Sequence, residues 1–222
     1  MSKRTFFIGD VHGCYDELLS LVGKIWLTPE DHLYFVGDLI NKWPKSLEVI
    51  EFVRNRPNTW SVIGNHEYFI LTTDESIIQV RIERENSSWL SSLREKTANF
   101  SVLFEWTDHR EWLLALPHII ERDDFILVHG GLHPDYGLST PIEIATMIRV
   151  LDGRPWYESY TGVKPVIYGH WATDGLRIRS NTIGLDTGCC FGGHLTWYCL
   201  ETGEYWQSRA NAVYKEPSNW KR

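Results

Sequence analysis

Short apolar segments alternate with amphipathic ones along the first third of the chain. Each apolar segment has the length of a buried strand and ends at a glycine followed by a polar residue. The amphipathic segments have apolar residues at helical spacing. The predicted strands are 4–8, 32–36 and 59–63, and the predicted helices are 15–26 and about 45–55. This repeated order predicts an α/β fold whose site lies at the carboxyl ends of the strands.

The alternation of predicted strands and helices stops in the middle of the chain. Residues 74 to about 113 are richer in Glu, Arg and Ser, and they indicate a helical insertion beside the site. Afterwards β character returns, with one helix near 141–151 and with later strands that we expect to form largely a second sheet. Those strands are expected at 118–121, 125–128, 164–168, 177–186, 195–201 and 204–207. We therefore expect one domain over residues 1–222 that carries the insertion.

Composition narrows the class of protein. A chain of 222 residues with 43% hydrophobic and 23% charged residues is typical of a globular domain. The net charge of -7 argues against bulk nucleic acid as a partner, and no stretch has the length of a membrane span. The N-terminus has no long apolar signal region, and the four cysteines lack the spacing of a zinc knuckle. We expect reduced thiols, a cytoplasmic location and no membrane partner.

Ligand-type side chains follow the ends of five predicted strands, each beside a glycine. They are Asp10, His12, Asp38, Asn65, His129 and His170. Any one of them alone would more often be a turn or cap residue, but six at equivalent places indicate one site. Carboxylate, imidazole and amide groups suit divalent Mn, Fe, Co or Zn, and a carboxylate can bridge two ions. The glycines would let the backbone approach the ions closely.

In order and spacing, these motifs resemble the phosphoprotein phosphatase family of calcineurin-like metallophosphoesterases over about residues 6–206. The motifs are Gly9-Asp10-Val11-His12-Gly13, Gly37-Asp38, Gly64-Asn65-His66-Glu67, His129-Gly130-Gly131 and Gly169-His170. The resemblance implies an α/β fold, a four-layered α/β/β/α sandwich of two mixed sheets with a helical insertion. It also implies one ion on Asp10, His12 and Asp38, and a second on Asp38, Asn65, His129 and His170. Mn is the expected metal, with Fe, Co, Ni or Zn as alternatives.

Two ions about 3.5 to 4 Å apart would produce a bridging hydroxide near neutral pH and neutralise charge in the transition state. The expected reaction is therefore hydrolysis of a phosphorus–oxygen bond without a phosphoenzyme. His66 follows the ligand Asn65 and is the candidate acid for the leaving oxygen. The alternative is that His66 only hydrogen-bonds Asn65.

The second motif departs from the protein phosphatases, which continue it with an aspartate and an arginine. Here Asn41 and Lys42 take those places. Asn41 can orient His66 but adds no negative charge, so a weaker acid is expected. Lys42 can bind phosphate as a point charge. The other candidates for phosphate are Arg149, which better matches the family position, and Arg154, which sits in a turn.

The substrate stays open between two classes. The stretch 44–49 and the segments 168–172 and 185–196 resemble the symmetrical diadenosine tetraphosphatases, which favours a dinucleoside polyphosphate. Glu67 and Gly130 are more typical of protein phosphatases, and the segment between the last two histidines is shorter than in the tetraphosphatases. A serine/threonine-type protein phosphatase or a general phosphomonoesterase is the alternative, and a catalytically weak metal-binding module is a remote one. The expected partner is thus a phosphorylated small molecule or a phosphoprotein.

Overall fold

The computed structural model describes residues 3–42, 45–72 and 101–216, with the backbone alone for 101–107. Its strands are β1 Thr5–Ile8, β2 His32–Phe35, β3 Thr59–Ser61, β4 Ile119–Glu121, β5 Ile126–Val128, β6 Val150–Leu151, β7 Arg154–Pro155, β8 Val166–Tyr168, β9 Arg177–Ile178, β10 Thr182–Gly184, β11 His194–Cys199 and β12 Tyr205–Arg209. Its α-helices are α1 Tyr15–Ile25, α2 Ser46–Asn55, α3 Asn65–Thr72, α4 Ser101–Leu114 and α5 Ile142–Ala145.

Two mixed five-stranded sheets form the centre of the fold. The first has the order β12-β11-β1-β2-β3, and the second has the order β4-β5-β8-β10-β9. The strands β1, β2 and β3 are parallel to one another, as are β5, β8 and β10. The carboxyl ends of parallel strands meet at one edge, so each sheet presents the loops after three strands to the same side.

The side chains of β1 point alternately to the two faces of the first sheet, and this shows how the layers stack. Phe6 and Ile8 pack in a core with residues of α1 and α2, whereas Phe7 faces a second core between the two sheets. A third core surrounds Trp156 and Tyr168 on the outer face of the second sheet. Three cores separate four layers, which confirms the α/β/β/α sandwich.

Sheet membership differs from the expectation for the last two strands. β11 and β12 do not extend the second sheet, because β11 pairs antiparallel with β1 and brings β12 with it. Phe6 lies opposite Cys199 and Ile8 lies opposite Trp197 in this pairing. The chain therefore returns from the second sheet to the first after the 3-10 turn Cys189–Phe191.

The helix expected near 141–151 is also shorter than predicted. It ends as α5 at Ala145, and the chain enters strand β6 soon afterwards. The Ala145 carbonyl accepts hydrogen bonds from the backbone N–H groups of Gly130 at 2.7 Å and Gly131 at 3.1 Å. This tertiary contact uses an acceptor that a longer helix would need for its next turn.

Two further predictions concern the strand at 177–186 and the helical insertion at about 74–113. The strand expected at 177–186 is a hairpin of β9 and β10, because the Arg179 N–H bonds the Thr182 carbonyl at 2.9 Å and turns the chain. The helical insertion at about 74–113 lies mostly outside the described residues, and α4 covers its end. Among the residues that the structure does describe, no helix is long and apolar enough to cross a membrane.

A buried ion pair joins β1 to the turn before β2, and it makes stability depend on pH. Asp31 accepts hydrogen bonds from the Arg4 backbone at 3.0 Å, the Arg4 guanidinium at 2.6 Å and the Thr28 backbone at 2.8 Å. Burial opposes ionisation, but these donors lower the pKa of Asp31 to about 2. Since the pKa falls on folding, the stabilisation is complete well above pH 4 and is lost as the pH drops towards 2.

We predict that Asp31→Asn lowers the free energy of unfolding by about 2 kcal/mol at pH 7. The difference from the parent protein should fall to about half at pH 3, because the unfolded parent then binds a proton that the folded one does not. Urea unfolding of both proteins at several pH values measures this. A difference that does not change with pH would show that Asp31 acts without its charge.

Candidate metal centre

The six side chains expected to bind metal form one continuous cluster. His12 Nε2 lies 3.3 Å from an oxygen of Asp38, and His129 Nε2 lies 3.4 Å from the other. Ligand atoms that share an ion at about 2.1 Å lie about 3 to 3.5 Å apart, so these separations suit common ions. The remaining contacts are Asn65 Oδ1 with His129 Nε2 at 2.9 Å, Asn65 Oδ1 with His170 Nδ1 at 2.8 Å, and Asp10 Oδ2 with the His170 N–H at 3.1 Å.

Each of the three histidines has its outer ring nitrogen within hydrogen-bond distance of a backbone carbonyl. The pairs are His12 Nδ1 with Ile40 O at 3.0 Å, His129 Nδ1 with Val36 O at 2.7 Å, and His170 Nε2 with Met147 O at 3.1 Å. A carbonyl can only accept, so each outer nitrogen carries a proton, and the inner nitrogen is the one available to bind a metal ion. Histidines that bind a metal ion usually donate their other N–H to such an acceptor, which fixes the orientation of the ring. The six candidate side chains therefore fit divalent ions.

Buried negative charge at the centre also fits cations. Asp10, Asp38 and Asp186 are each at most 7% exposed. Burial, and then the charge of Asp186, raise the pKa of Asp10 well above its usual range. The ammonium of Lys42 lies 2.7 Å from His12 Nε2, at the position that a metal ion bound to this nitrogen would take. An ion bound by His12 would displace this ammonium, because the nitrogen lone pair cannot serve both.

Backbone strain is concentrated at this cluster. Eight described residues other than glycine have positive φ, and five of them were singled out from the sequence. Left-handed backbone is unfavourable for such residues and persists where the surrounding structure imposes it, often at functional sites. The five are His12 (49°), Asp38 (51°), Asn41 (68°), Lys42 (68°) and His170 (65°).

Two glycines permit the close approach of the loops. A Cβ atom on Gly64 would lie 2.3 Å from the backbone nitrogen of Asp38, and one on Gly169 would lie 2.1 Å from an oxygen of Asp10. Real side chains do not tolerate such distances, so any other residue would push the ligands apart. The role expected for glycines beside the ligands is seen here directly.

Glu67 joins two of the ligand loops, a role that the sequence analysis missed. Its side chain is fully buried. One carboxylate oxygen accepts from the N–H groups of Asp38 at 2.9 Å and Gly64 at 2.8 Å, and the other accepts from Leu39 at 2.8 Å and Ile40 at 3.1 Å. A carboxylate with four donors fixes the loops that carry Asp38 and Asn65.

We predict that Glu67→Gln weakens metal binding about 10- to 100-fold and destabilises the fold by about 1 to 3 kcal/mol. Glutamine keeps the size of glutamate, but its NH2 group would face two N–H donors in place of an acceptor. Mn²⁺ titration and thermal unfolding measure the two effects. Retention of full metal affinity would show that the loops hold their geometry without this carboxylate.

His66 lies beside the ligands, as expected for a residue that acts on the leaving group. Its ring is 4.8 Å from that of His12, and its backbone N–H donates to Asp38 at 3.0 Å. The Asn41 amide nitrogen is 3.1 Å from His66 Nδ1, an arrangement in which Asn41 donates and the ring proton sits on Nε2. Burial lowers the pKa of His66 to about 4. A ring nitrogen of His66 also lies within 4.8 Å of ligand atoms of His12 and Asp38, so a role as a ligand needs a test.

The two candidate arginines lie in different settings. Arg149 precedes β6, and its guanidinium donates to the carbonyl of the ligand His170 at 3.0 Å. Arg154 begins β7, directly after the turn residues Asp152 and Gly153, and its side chain is exposed. The structure therefore brings Arg149 to the cluster, in agreement with its better match to the family position.

Asp186 is the second residue that the sequence analysis left out of the site. It follows β10 just as Asp10 follows β1, so the signal was the same: an aspartate after a buried strand. In the sequence, Asp186 stood out only as part of the segment 185–196 that resembles the symmetrical diadenosine tetraphosphatases. Asp186 does accept from the Gly188 N–H at 3.1 Å, but its charge also acts on Asp10.

Several known proteins are similar to this chain in sequence and fold. The calcineurin-like phosphoesterase family model matches residues 3–199. The symmetrical bis(5'-nucleosyl)-tetraphosphatase of Aliivibrio fischeri (strain MJ11) is 27% identical over 93% of this chain and 98% of its own. The enzyme of that name from Methylobacillus flagellatus is 28% identical over 91% of this chain and 94% of its own. A crystal structure described provisionally as a diadenosine tetraphosphatase is 27% identical, with a TM-score of 0.75 over 96% of both chains.

The match covers the whole ligand cluster, from Asp10 to His170, together with both sheets except β12. The family is one of metal-dependent hydrolases, which is the chemistry that buried carboxylates and backed histidines support. This chain is an enzyme, a metallophosphoesterase, and it belongs to the calcineurin-like phosphoesterase family.

Proposed function

We propose that this enzyme hydrolyses a dinucleoside polyphosphate such as diadenosine tetraphosphate at a centre of two divalent ions, with Mn²⁺ as the metal. The observation that carries the proposal is the Asp38 carboxylate, whose two oxygens face His12 on one side and His129 on the other. A carboxylate with one oxygen towards each of two histidines can bind two neighbouring ions at once. The substrate is supported by the relatives named as symmetrical tetraphosphatases.

We assign Asp10, His12 and Asp38 to one ion, and Asp38, Asn65, His129 and His170 to the other. Two bound ions would supply a hydroxide nucleophile at neutral pH and offset the charge of the phosphoryl group. Lys42 lies beside His12, and Arg149 lies beside His170. Their cations would bind and orient the oxygens of the polyphosphate.

His66 would donate the proton that the leaving oxygen needs. The attacking water would lose one proton to solvent and its oxygen would bond to phosphorus as the bridging phosphorus–oxygen bond breaks. The departing phosphate oxygen would take a proton from Nε2 of the protonated His66 ring, which is left neutral. Burial keeps the pKa of His66 low, and the incoming negative charge of the substrate would raise it. Asn41 orients the ring without a negative charge of its own.

A weak acid suits an anhydride better than an alkyl ester. A departing nucleotide carries its charge on a phosphate, whereas serine or threonine leaves as an alkoxide that requires protonation. Asn41 in place of a carboxylate therefore favours the dinucleotide over a phosphoprotein. The alignment with the Aliivibrio fischeri enzyme spans 277 positions, more than the 222 residues of this chain, so that relative has segments that this chain lacks. A protein phosphatase or a general phosphomonoesterase is accordingly the alternative proposal.

A substrate panel with and without Mn²⁺ tests the proposal. We expect diadenosine tetraphosphate to yield two molecules of ADP, and we expect phosphopeptides to be cleaved far more slowly. Release of phosphate from phosphopeptides with the dinucleotide left intact would establish the alternative. Inactivity on p-nitrophenyl phosphate with both ions bound would instead indicate a metal-binding module without catalysis.

We also propose a cytoplasmic location. Cys14, Cys189, Cys190 and Cys199 are all buried as free thiols. Free thiols are typical of reducing compartments. The partner that follows from the proposed reaction is a phosphorylated small molecule.

A further inference from the structure

A cavity of about 480 Å³ lies where β11 and β12 meet at one end of the first sheet. One wall is the turn Gly192-Gly193 with His194, a second is the segment from Arg209 to Val213, and Asp174 closes a third side. Its volume falls within the range of about 300 to 1,000 Å³ that is usual for small-molecule sites. None of the candidate metal ligands lines it.

Two walls of the cavity belong to segments that contact the metal centre. The loop that carries Asp174 begins at the ligand His170, and the Thr173 N–H in this loop bonds the Asp186 carbonyl at 3.1 Å. On the other side, the ring of Phe191 lies 4.9 Å from the Lys42 ammonium, which contacts His12. A substrate with its phosphates at Lys42 would therefore extend past Phe191 towards Gly192.

Three side chains of the lining have the chemistry to bind a ligand. Arg209 and His194 lie directly opposite each other on β12 and β11, so their side chains are on the same face of the sheet. The side chains of Arg209, His194 and Asp174 make no hydrogen bond or ion pair within the described ranges 3–42, 45–72 and 101–216. Arg209 and Asp174 are exposed, and His194 is partly buried.

We propose that this cavity binds one nucleoside diphosphate end of the substrate. This inference rests on the proposed function and names the part of the enzyme that holds the group beyond the cleaved bond. The Arg209 guanidinium would bind a phosphate or stack on the base, and the His194 ring offers a second flat surface for a purine. The Asp174 carboxylate would accept from ribose hydroxyl groups. A phosphopeptide has neither a base nor a ribose to use these groups.

Binding of ADP to the Mn²⁺-loaded enzyme tests the proposal, with calorimetry as the readout. Arg209→Ala should raise the Kd for ADP about 10- to 100-fold, the effect of losing a charged hydrogen bond. The Kd for inorganic phosphate, which lacks the nucleoside, should change by no more than about twofold. His194→Ala should also raise the Kd for ADP.

The matched control is Arg122→Ala. Arg122 is an exposed arginine at the turn between β4 and β5, at the end of the second sheet opposite the ligands, and its loss should leave the Kd for ADP unchanged. An unchanged Kd in both Arg209→Ala and His194→Ala would overturn the cavity assignment. Failure of the parent enzyme to bind ADP while it cleaves diadenosine tetraphosphate would do the same and leave the proposed function standing. Binding that depends on Arg209 without cleavage of the dinucleotide would refute the proposed function alone.

Discussion

Asp38→Asn is expected to reduce kcat on p-nitrophenyl phosphate about a thousandfold or more and to remove at least one of two bound ions. Asp38 is the one ligand assigned to both ions, and its two oxygens lie 3.3 Å and 3.4 Å from imidazole nitrogens on either side. Asparagine keeps the shape but provides a single acceptor and no charge. A thousandfold loss corresponds to about 4 kcal/mol of transition-state stabilisation, which is the scale of metal-ion catalysis.

The control for this variant is Asp123→Asn. Asp123 lies exposed in the turn between β4 and β5, where a lost charge should affect neither metal content nor turnover. Elemental analysis of both purified variants after Mn²⁺ loading, together with steady-state kinetics, gives the two readouts. Two retained ions with near-normal turnover in Asp38→Asn would contradict the assignment of Asp38 as a shared ligand.

His66→Asn is expected to lower kcat about 10²- to 10⁴-fold while the metal content stays unchanged. The loss should be smaller for p-nitrophenyl phosphate than for phenyl phosphate, because a leaving group that needs less protonation depends less on the acid. A residue that only shapes the site would affect the two substrates equally. His66 is close enough to His12 and Asp38 to serve as a ligand instead, so the metal content decides between the two roles.

His32→Asn provides the comparison, because His32 lies on the first sheet away from the candidate ligands. His32 begins β2, at the opposite end of the strand from Asp38, and packs against Trp60. It should retain turnover and metal. If His66→Asn loses bound metal, the assignment of His66 as an acid is wrong and the residue is a ligand.

The proximity of the candidate ligands could be predicted from the sequence because its signal is local. A buried strand followed by glycine and a polar residue places that residue at the carboxyl end of a parallel strand, and this holds for Asp10, Asp38 and Asn65 alike. Parallel strands bring their ends to one edge whatever the rest of the chain does. The contacts of Asn65 with His129 and His170 then depend only on the two sheets facing each other.

Three of the misses depend on contacts between residues that are far apart in the sequence. β11 was expected in the second sheet, but its pairing with β1 joins residues almost 200 positions apart, which no local pattern encodes. The helix after 141 ends at Ala145 because the loop of His129 takes its carbonyl. Glu67 was noted only as a mark of one branch of the family, and its function becomes visible when the loops of Asp38 and Gly64 converge on it.

Asp186 is a different kind of miss. It follows a strand just as the ligands do, but the glycine after it also fits a turn, and the local sequence supports both interpretations. The turn is real, since the Gly188 N–H bonds the carboxylate. The effect of the Asp186 charge on Asp10 depends on the packing of β10 against the rest of the sheet, and no local sequence pattern indicates that packing.

Titration of the metal-stripped enzyme with Mn²⁺ shows whether catalysis requires two ions at one centre. Bound metal per chain and the rate of diadenosine tetraphosphate hydrolysis should be measured on the same samples. We predict that the enzyme binds two ions per chain and that most of the activity appears as the second site fills. Full activity with a single ion per chain, or with none, would refute a mechanism that requires two ions.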